Sequence, residues 1–222
     1  MAAPSEIPVG TPPQPGRDCP FCPRLAEFRR ENRALYPDFH NAPVPSFGDL
    51  SARLLVVGMA PGLKGANRTG RPFTGDYAGD LLYATLLKFG FATGFYGREP
   101  DDGLRLVDAR ITNAARCVPP KNKLLPEEIK TCRQFLVPEL AAMPNLKALV
   151  ALGGDSHRSV VAAFGARQAA LPFGHGARHE LRPGLTLFDS YHCSRYNTNT
   201  GVLTTEMFEA VFADVRRHVD EG

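Results

Sequence analysis

Four of the five cysteines form two separated pairs, Cys19-x2-Cys22 and Cys117-x14-Cys132. Thiolates are soft ligands, and four of them complete either a tetrahedral zinc site or an iron–sulfur cluster. No histidine lies near either pair to suggest a mixed zinc site, which favours the cluster. Cys193 stands alone and is not expected to be a ligand.

Between the pairs runs a glycine-rich segment, residues 58–76, with glycines at 58, 62, 65, 70 and 75. Glycine there permits positive φ and close approach of backbone to a ligand. The segment has neither the Gly-Lys-Ser/Thr ending of a Walker loop nor a Gly-x-Gly-x-x-Gly pattern. It is a ligand loop or a long surface turn. Phe73 favours the ligand, because a flat apolar ring beside backbone N–H groups suits a planar polar molecule such as a nucleobase. Asn113 carries an amide that can read a base edge as both donor and acceptor. His192 precedes Cys-Ser-Arg-Tyr-Asn-Thr-Asn-Thr, whose small hydroxyls, amides and arginine suit phosphate. His40, His157, His175, His179 and His218 have weaker contexts and read as structural or solvated.

The elements that would position these groups alternate. Short apolar runs at residues 53–58, 104–113, 147–153 and 185–191 read as strands. Helical spacing covers residues 24–34, 80–89, 127–143, 156–164 and 204–218, with Pro126 opening the third and Asp155 able to cap the fourth. Such alternation predicts a three-layer α/β/α fold around a mostly parallel, four-stranded sheet. Sites in these folds gather at the carboxyl ends of the strands. The Gly58 loop, Asn113 and His192 all fall there.

The 222 residues suit one α/β domain, and residues 1–18, rich in proline and small residues, read as a flexible leader to a single domain over 19–222. The leader lacks the apolar core of a secretory signal. No apolar run approaches the roughly 20 residues of a membrane span. Odd cysteines without a signal suggest a reducing, cytoplasmic setting. The net charge of +3 permits a nucleic-acid partner without requiring one.

Taken together, these residues resemble the uracil-DNA glycosylase superfamily, and within it the iron–sulfur family-5 enzymes of bacteria and archaea. Residues 58–76 look like that family's first motif, and His192-x-Ser-Arg-x-Asn197-Thr like its last. The resemblance runs from Cys19 to about Phe208. Family-4 enzymes have a glutamate where this chain has Met59. The best-known uracil glycosylases have an aspartate where it has Ala60. Superfamily members usually have proline at the position of Cys193.

The resemblance implies a monofunctional DNA repair glycosylase, acting as a monomer on double-stranded DNA that contains uracil or related damaged bases. It implies a 4Fe–4S cluster on Cys19, Cys22, Cys117 and Cys132. Phe73 would stack on the base, Asn113 would bond its edge, and Ala60, Gly62 and Gly65 would line the pocket. His192 would stabilise the leaving base. Asn67 or Asp76 would orient the attacking water, Asp76 being equally suited to cap the next helix. Ser194, Arg195 and Asn197 would meet the DNA. The competing expectation is an iron–sulfur nucleic-acid-binding protein that has lost catalysis.

Overall fold

The computed structural model describes residues 11–221. In chain order its elements are α1 (Pro23–Leu35), β1 (Leu54–Gly58), α2 (Ala66–Thr69), α3 (Tyr77–Lys88), β2 (Ala92–Thr93), β3 (Arg105–Leu106) and β4 (Ala109–Asn113). Then come α4 (Pro126–Ala141), β5 (Ala148–Leu152), α5 (Gly154–Ala163), β6 (Arg178–Arg182), β7 (Leu185–Ser190), α6 (Arg195–Asn199) and α7 (Thr205–Glu221). Residues 1–10 of the expected leader lie outside the described chain. Its last part is anchored, since Arg33 bonds Asp18 and the Arg17 carbonyl, and Arg116 bonds Gln14.

The main sheet has five strands in the order β4-β1-β5-β7-β6. The first four are parallel, and β6 pairs antiparallel to β7 at the edge. The sequence reading of four strands therefore misses one. β6 reads Arg-His-Glu-Leu-Arg, with Leu181 its one apolar residue against the core, as an edge strand can be. The expected strand over residues 104–113 also divides. Asp108 adopts φ 52° and breaks it into β3, which pairs with β2, and the sheet strand β4.

Alternation across β1 builds both layers. Leu54 and Val56 pack with Leu82 and Leu86 of α3 and Phe208 and Phe212 of α7. Leu55 and Val57 pack on the other face with Leu136 and Leu140 of α4 and Val160 and Val161 of α5. All five residues of β1 are buried, which explains its unbroken apolar run. After β1 the chain lays β4 on one side of it and β5 on the other. The strand order thus reverses at β1, and the crevice beyond its carboxyl end is where ligands bind in open α/β sheets.

Candidate active site and cysteine quartet

Gly58 ends β1 in register with Asn113, the end of β4. A Cβ at position 58 would lie 2.4 Å from Asn113 Oδ1 and 2.6 Å from Phe73 Cζ. Only glycine lets the ring of Phe73 and the amide of Asn113 settle against the strand end. Phe73 reaches that place with φ 52°, an uncommon conformation for a bulky residue. Its ring stacks loosely on His192, with centroids 6.0 Å apart and planes 27° from parallel. Burial lowers the His192 pKa to about 4, so the imidazole is neutral at physiological pH.

Asp76 faces the same space. Its Oδ2 sits so close to the glycine loop that a Cβ would come within 2.9 Å of it at Gly62 and 2.2 Å at Gly65. Asp76 occupies the position before α3, but its side chain makes no capping hydrogen bond, and Oδ1 is buried without a partner. Burial raises its pKa, against the backbone N–H groups of Gly79 and Ala78, which favour the charged form. An underused, partly desolvated carboxylate beside a cavity is the group that can hold a water molecule. Asn67 is placed differently. It is 1 % exposed, and its amide donates to Asn41 Oδ1 at 2.8 Å. Of the two candidates, Asp76 lines the cavity and Asn67 braces the loop behind it.

Phe73, Asn113, His192, Asp76, Ala60 and Gly62 border one small cavity. It opens into a cleft of ≈ 480 Å³ whose rim includes Ser194 and Arg195. Ser194 caps α6 by accepting from Asn197 N–H at 3.3 Å. Arg195 lies over the Tyr77 ring, 5.3 Å from its centroid. Asn197 turns inward, and its amide donates to the His192 carbonyl at 2.8 Å. It positions the histidine loop, a different use from the expected contact with DNA. Asp155, the expected cap of α5, lies in its first turn, where it pairs with Arg158, and the cap position is Gly153 at φ 94°.

Two cleft residues, and an exposed tyrosine on α6, escaped the sequence reading. Asn122 lines the cleft at φ 55°, on an exposed turn between Lys121 and Lys123. Tyr77 lines it beside Asp76. Tyr196 projects from α6 with 74 % of its surface exposed. The Lys-Asn-Lys triplet and a bare tyrosine inside a polar loop were the available signals.

The four cysteines converge away from this cleft. Cys19 and Cys22 precede α1, Cys117 follows β4, and Cys132 lies on α4. Together they border one pocket with Phe21, Leu25 and Phe135. The backbone N–H of Arg116 donates to Cys132 Sγ at 3.3 Å, and Arg29 donates to Cys117 Sγ at 3.6 Å. Burial raises the thiol pKa of Cys22 to about 11 and of Cys117 to about 12, with the neighbouring cysteines adding to it. A bound cation would reverse that cost by favouring thiolates. A single zinc would draw the sulfurs to about 3.8 Å of one another, given a Zn–S bond of about 2.3 Å. Among the described residues, the one trio of ligand-type atoms within 4.8 Å of one another is His157, His179 and Asp189. The quartet's apolar walls and its N–H donors to sulfur fit a metal group held by thiolates.

The His157 trio is explained by its hydrogen bonds. His157 Nε2 donates to the Leu171 carbonyl at 2.8 Å, and Nδ1 faces Asp189 Oδ1 at 2.8 Å. His179 Nε2 donates to the Pro172 carbonyl at 3.1 Å. The hydrogen bond between His157 and Asp189 ties α5 to β7 beside the Gly153–Gly154 wall of the cleft. Both histidines are structural, as the sequence suggested.

The profile of the Uracil DNA glycosylase superfamily matches residues 45–216. The chain belongs to that superfamily. It is 46% identical over 204 residues to a type-5 uracil-DNA glycosylase of Thermus thermophilus, covering 90% of this chain and 93% of the relative. It is 40% identical over 198 residues to a type-5 uracil-DNA glycosylase of Pyrobaculum aerophilum, covering 87% of this chain and 86% of the relative. A type-4 uracil-DNA glycosylase of Archaeoglobus fulgidus matches over 112 residues at 38% identity, covering 50% of this chain and 48% of the relative.

Proposed function

We infer that this protein is a monofunctional DNA repair glycosylase that takes uracil out of DNA by hydrolysing its N-glycosidic bond. The observation that carries this reading is the shared cavity of Phe73, Asn113, His192 and Asp76 at the strand ends of a chain from this superfamily. A base inside a duplex is out of reach, so the nucleotide must flip into the cavity, at a cost of a few kcal/mol that is smallest at mismatches. Phe73 stacks on the flipped base and Asn113 bonds its edge. The neutral His192 and backbone N–H groups near Gly62 and Gly65 stabilise the negative charge that grows on the departing base. One such preorganised donor is worth about 3 kcal/mol.

Asp76 orients the water that attacks the sugar. Its raised pKa brings the carboxylate closer to the working pH, as suits a group that accepts a proton. It also supplies the negative charge that Ala60 lacks on the same wall. Arg195, with Ser194 and the exposed Lys121 and Lys123, meets the phosphates. Because Ala60 leaves the wall open, hydroxymethyluracil, ethenocytosine, hypoxanthine and xanthine are further candidate bases.

Cys19, Cys22, Cys117 and Cys132 would hold a 4Fe–4S cluster, which when bound cross-links α1, α4 and the loop after β4. The enzyme acts as a monomer on duplex DNA in a reducing cytoplasm, where its thiols stay reduced. The domain comprises residues 19–222, with 1–18 as leader. No helix among the described residues is long and apolar enough to cross a membrane. The test is alkali-induced cleavage of a duplex with one uracil opposite guanine. Wild-type protein should yield an abasic-site band and His192→Ala should not. A blank result from brown, folded wild-type protein, repeated on the other candidate bases, would refute the reading.

A further inference from the structure

Phe73 and Asp76 lie on one turn, and that turn is strained. An aromatic residue at positive φ is strained and persists only where its surroundings over-determine it. Several contacts do so. Tyr83 Oη donates to the Pro72 carbonyl at 2.6 Å, and Arg71 Nε donates to Thr74 Oγ1 at 2.7 Å. Tyr96 Oη donates to the Phe73 carbonyl at 3.1 Å. The backbone N–H of Gly75 faces the same Tyr96 hydroxyl. One hydroxyl therefore holds the carbonyl of Phe73 at the start of the link to Asp76.

The approach of α3 is cut to fit this bridge. A Cβ at Gly79 would lie 1.8 Å from the Phe73 carbonyl oxygen and 2.3 Å from the Tyr96 hydroxyl. Tyr96 is itself held from outside the active site. Its ring packs on Tyr83 with centroids 4.5 Å apart. The next residue, Gly97, donates its N–H to Asp102 Oδ2 at 2.8 Å, and Asp102 pairs with the buried Arg71 at 2.7 Å. No side-chain atom of Tyr96 borders the cavity or the cleft.

We propose that Tyr96 is a positioning residue for base excision, whose hydroxyl keeps the ring of Phe73 and the carboxylate of Asp76 in mutual register. The proposal rests on the roles of Phe73 and Asp76 given above. Tyr83 is fully buried and serves the core, whereas Tyr96 is only partly buried. Loss of its hydroxyl should leave the fold in place and release the turn.

The experiment compares Tyr96→Phe, Phe73→Leu and the double variant in single-turnover excision of uracil opposite guanine. Melting temperature and affinity for an abasic duplex are read on the same cluster-loaded proteins. Tyr96→Phe should slow excision at least tenfold with near-native melting and unchanged abasic affinity. In the Phe73→Leu background its further effect should fall below threefold, because the stacking ring it positions is gone. Tyr96→Phe at the wild-type rate, with Phe73→Leu slow, would overturn the proposal alone. So would multiplying effects in the double variant. Phe73→Leu at the wild-type rate would instead overturn the stacking role on which the proposal rests.

Discussion

Gly58→Ala is the sharpest test of how the base pocket is built. The residue has no positive φ, so alanine costs nothing in backbone conformation there. The added methyl would meet Asn113 Oδ1 at 2.4 Å and Phe73 Cζ at 2.6 Å. Ordinary heavy-atom contacts begin near ~3.5 Å, so amide and ring must each retreat by about 1 Å. Overpacking of this kind costs about 1–3 kcal/mol of stability, which a folded domain survives. The catalytic consequence should be larger. A misplacement of about 1 Å can cost about 100-fold in rate, or ~2.7 kcal/mol of transition-state stabilisation. The assay is single-turnover excision of uracil opposite guanine, with melting temperature and cluster absorbance near ~400 nm as controls on the fold. A cluster-loaded, native-melting Gly58→Ala protein within threefold of the wild-type rate would refute the argument that Phe73 and Asn113 act from their contact with this strand end.

Excision should stay level as the pH falls through the ordinary histidine range near ~6.5, since His192 titrates only at about 4. The same depression makes the unfolded chain take up the proton first, so His192 subtracts stability as pH drops from ~6.5 towards 4. A wild-type activity step near pH ~6.5 would contradict this. Burial opposes ionisation of Asp102, but the bonds from Arg71 and from the Leu104 and Gly97 N–H groups outweigh it and hold its pKa at about 2. Its contribution is therefore complete above pH ~4 and lost as pH falls from there to about 2. Asp102→Asn strands a buried arginine and should cost ~3–5 kcal/mol in urea unfolding at pH 7. A loss below ~1 kcal/mol would remove the ion pair from the account. Cys22→Ala should lose its brown colour and its thermal stability before its chemistry. A colourless variant with native melting and full activity would show that the quartet is dispensable.

Much of this site was legible because its signals are local. The strands β1, β5 and β7 are apolar runs, and β1 and β5 each run into a glycine, so their ends could be read within a residue or two. The cysteine spacing and the glycine run announced themselves. What stayed hidden depends on partners distant in sequence. The Asn67 amide faces Asn41, 26 residues earlier, and nothing around position 67 distinguishes that from a ligand-facing amide. Asn197 looks like a phosphate contact by type, yet its carbonyl partner at His192 only comes into reach when α6 forms. The edge strand β6 carries a single apolar residue, Leu181, so periodicity gives little handle on it. Tyr96 lies 23 residues from the carbonyl it holds, in a loop whose own sequence suggests only a turn.

The quartet and the base pocket are joined by one buried carboxylate. Glu139 of α4 accepts from Arg116 at 2.6 Å, from Arg110 at 2.7 Å and from Thr112 at 3.0 Å. Arg110 and Thr112 belong to β4, and Arg116 lies three residues beyond Asn113. Burial opposes ionisation of Glu139, but the charges of Arg116 and Arg110 prevail and lower its pKa. A buried charge network contributes little net stability over a well-packed apolar one, yet losing one partner is costly. Such a network therefore fixes geometry more than it adds free energy. Here it fixes α4, which carries Cys132, to the strand that ends at Asn113, while the N–H of Arg116 bonds the Cys132 sulfur. Cys132 and the Asn113 end of β4 thus sit on one connected unit. That connection favours a structural role for the quartet: it sets where the loop bearing Lys121, Asn122 and Lys123 leaves β4, and with it one rim of the cleft.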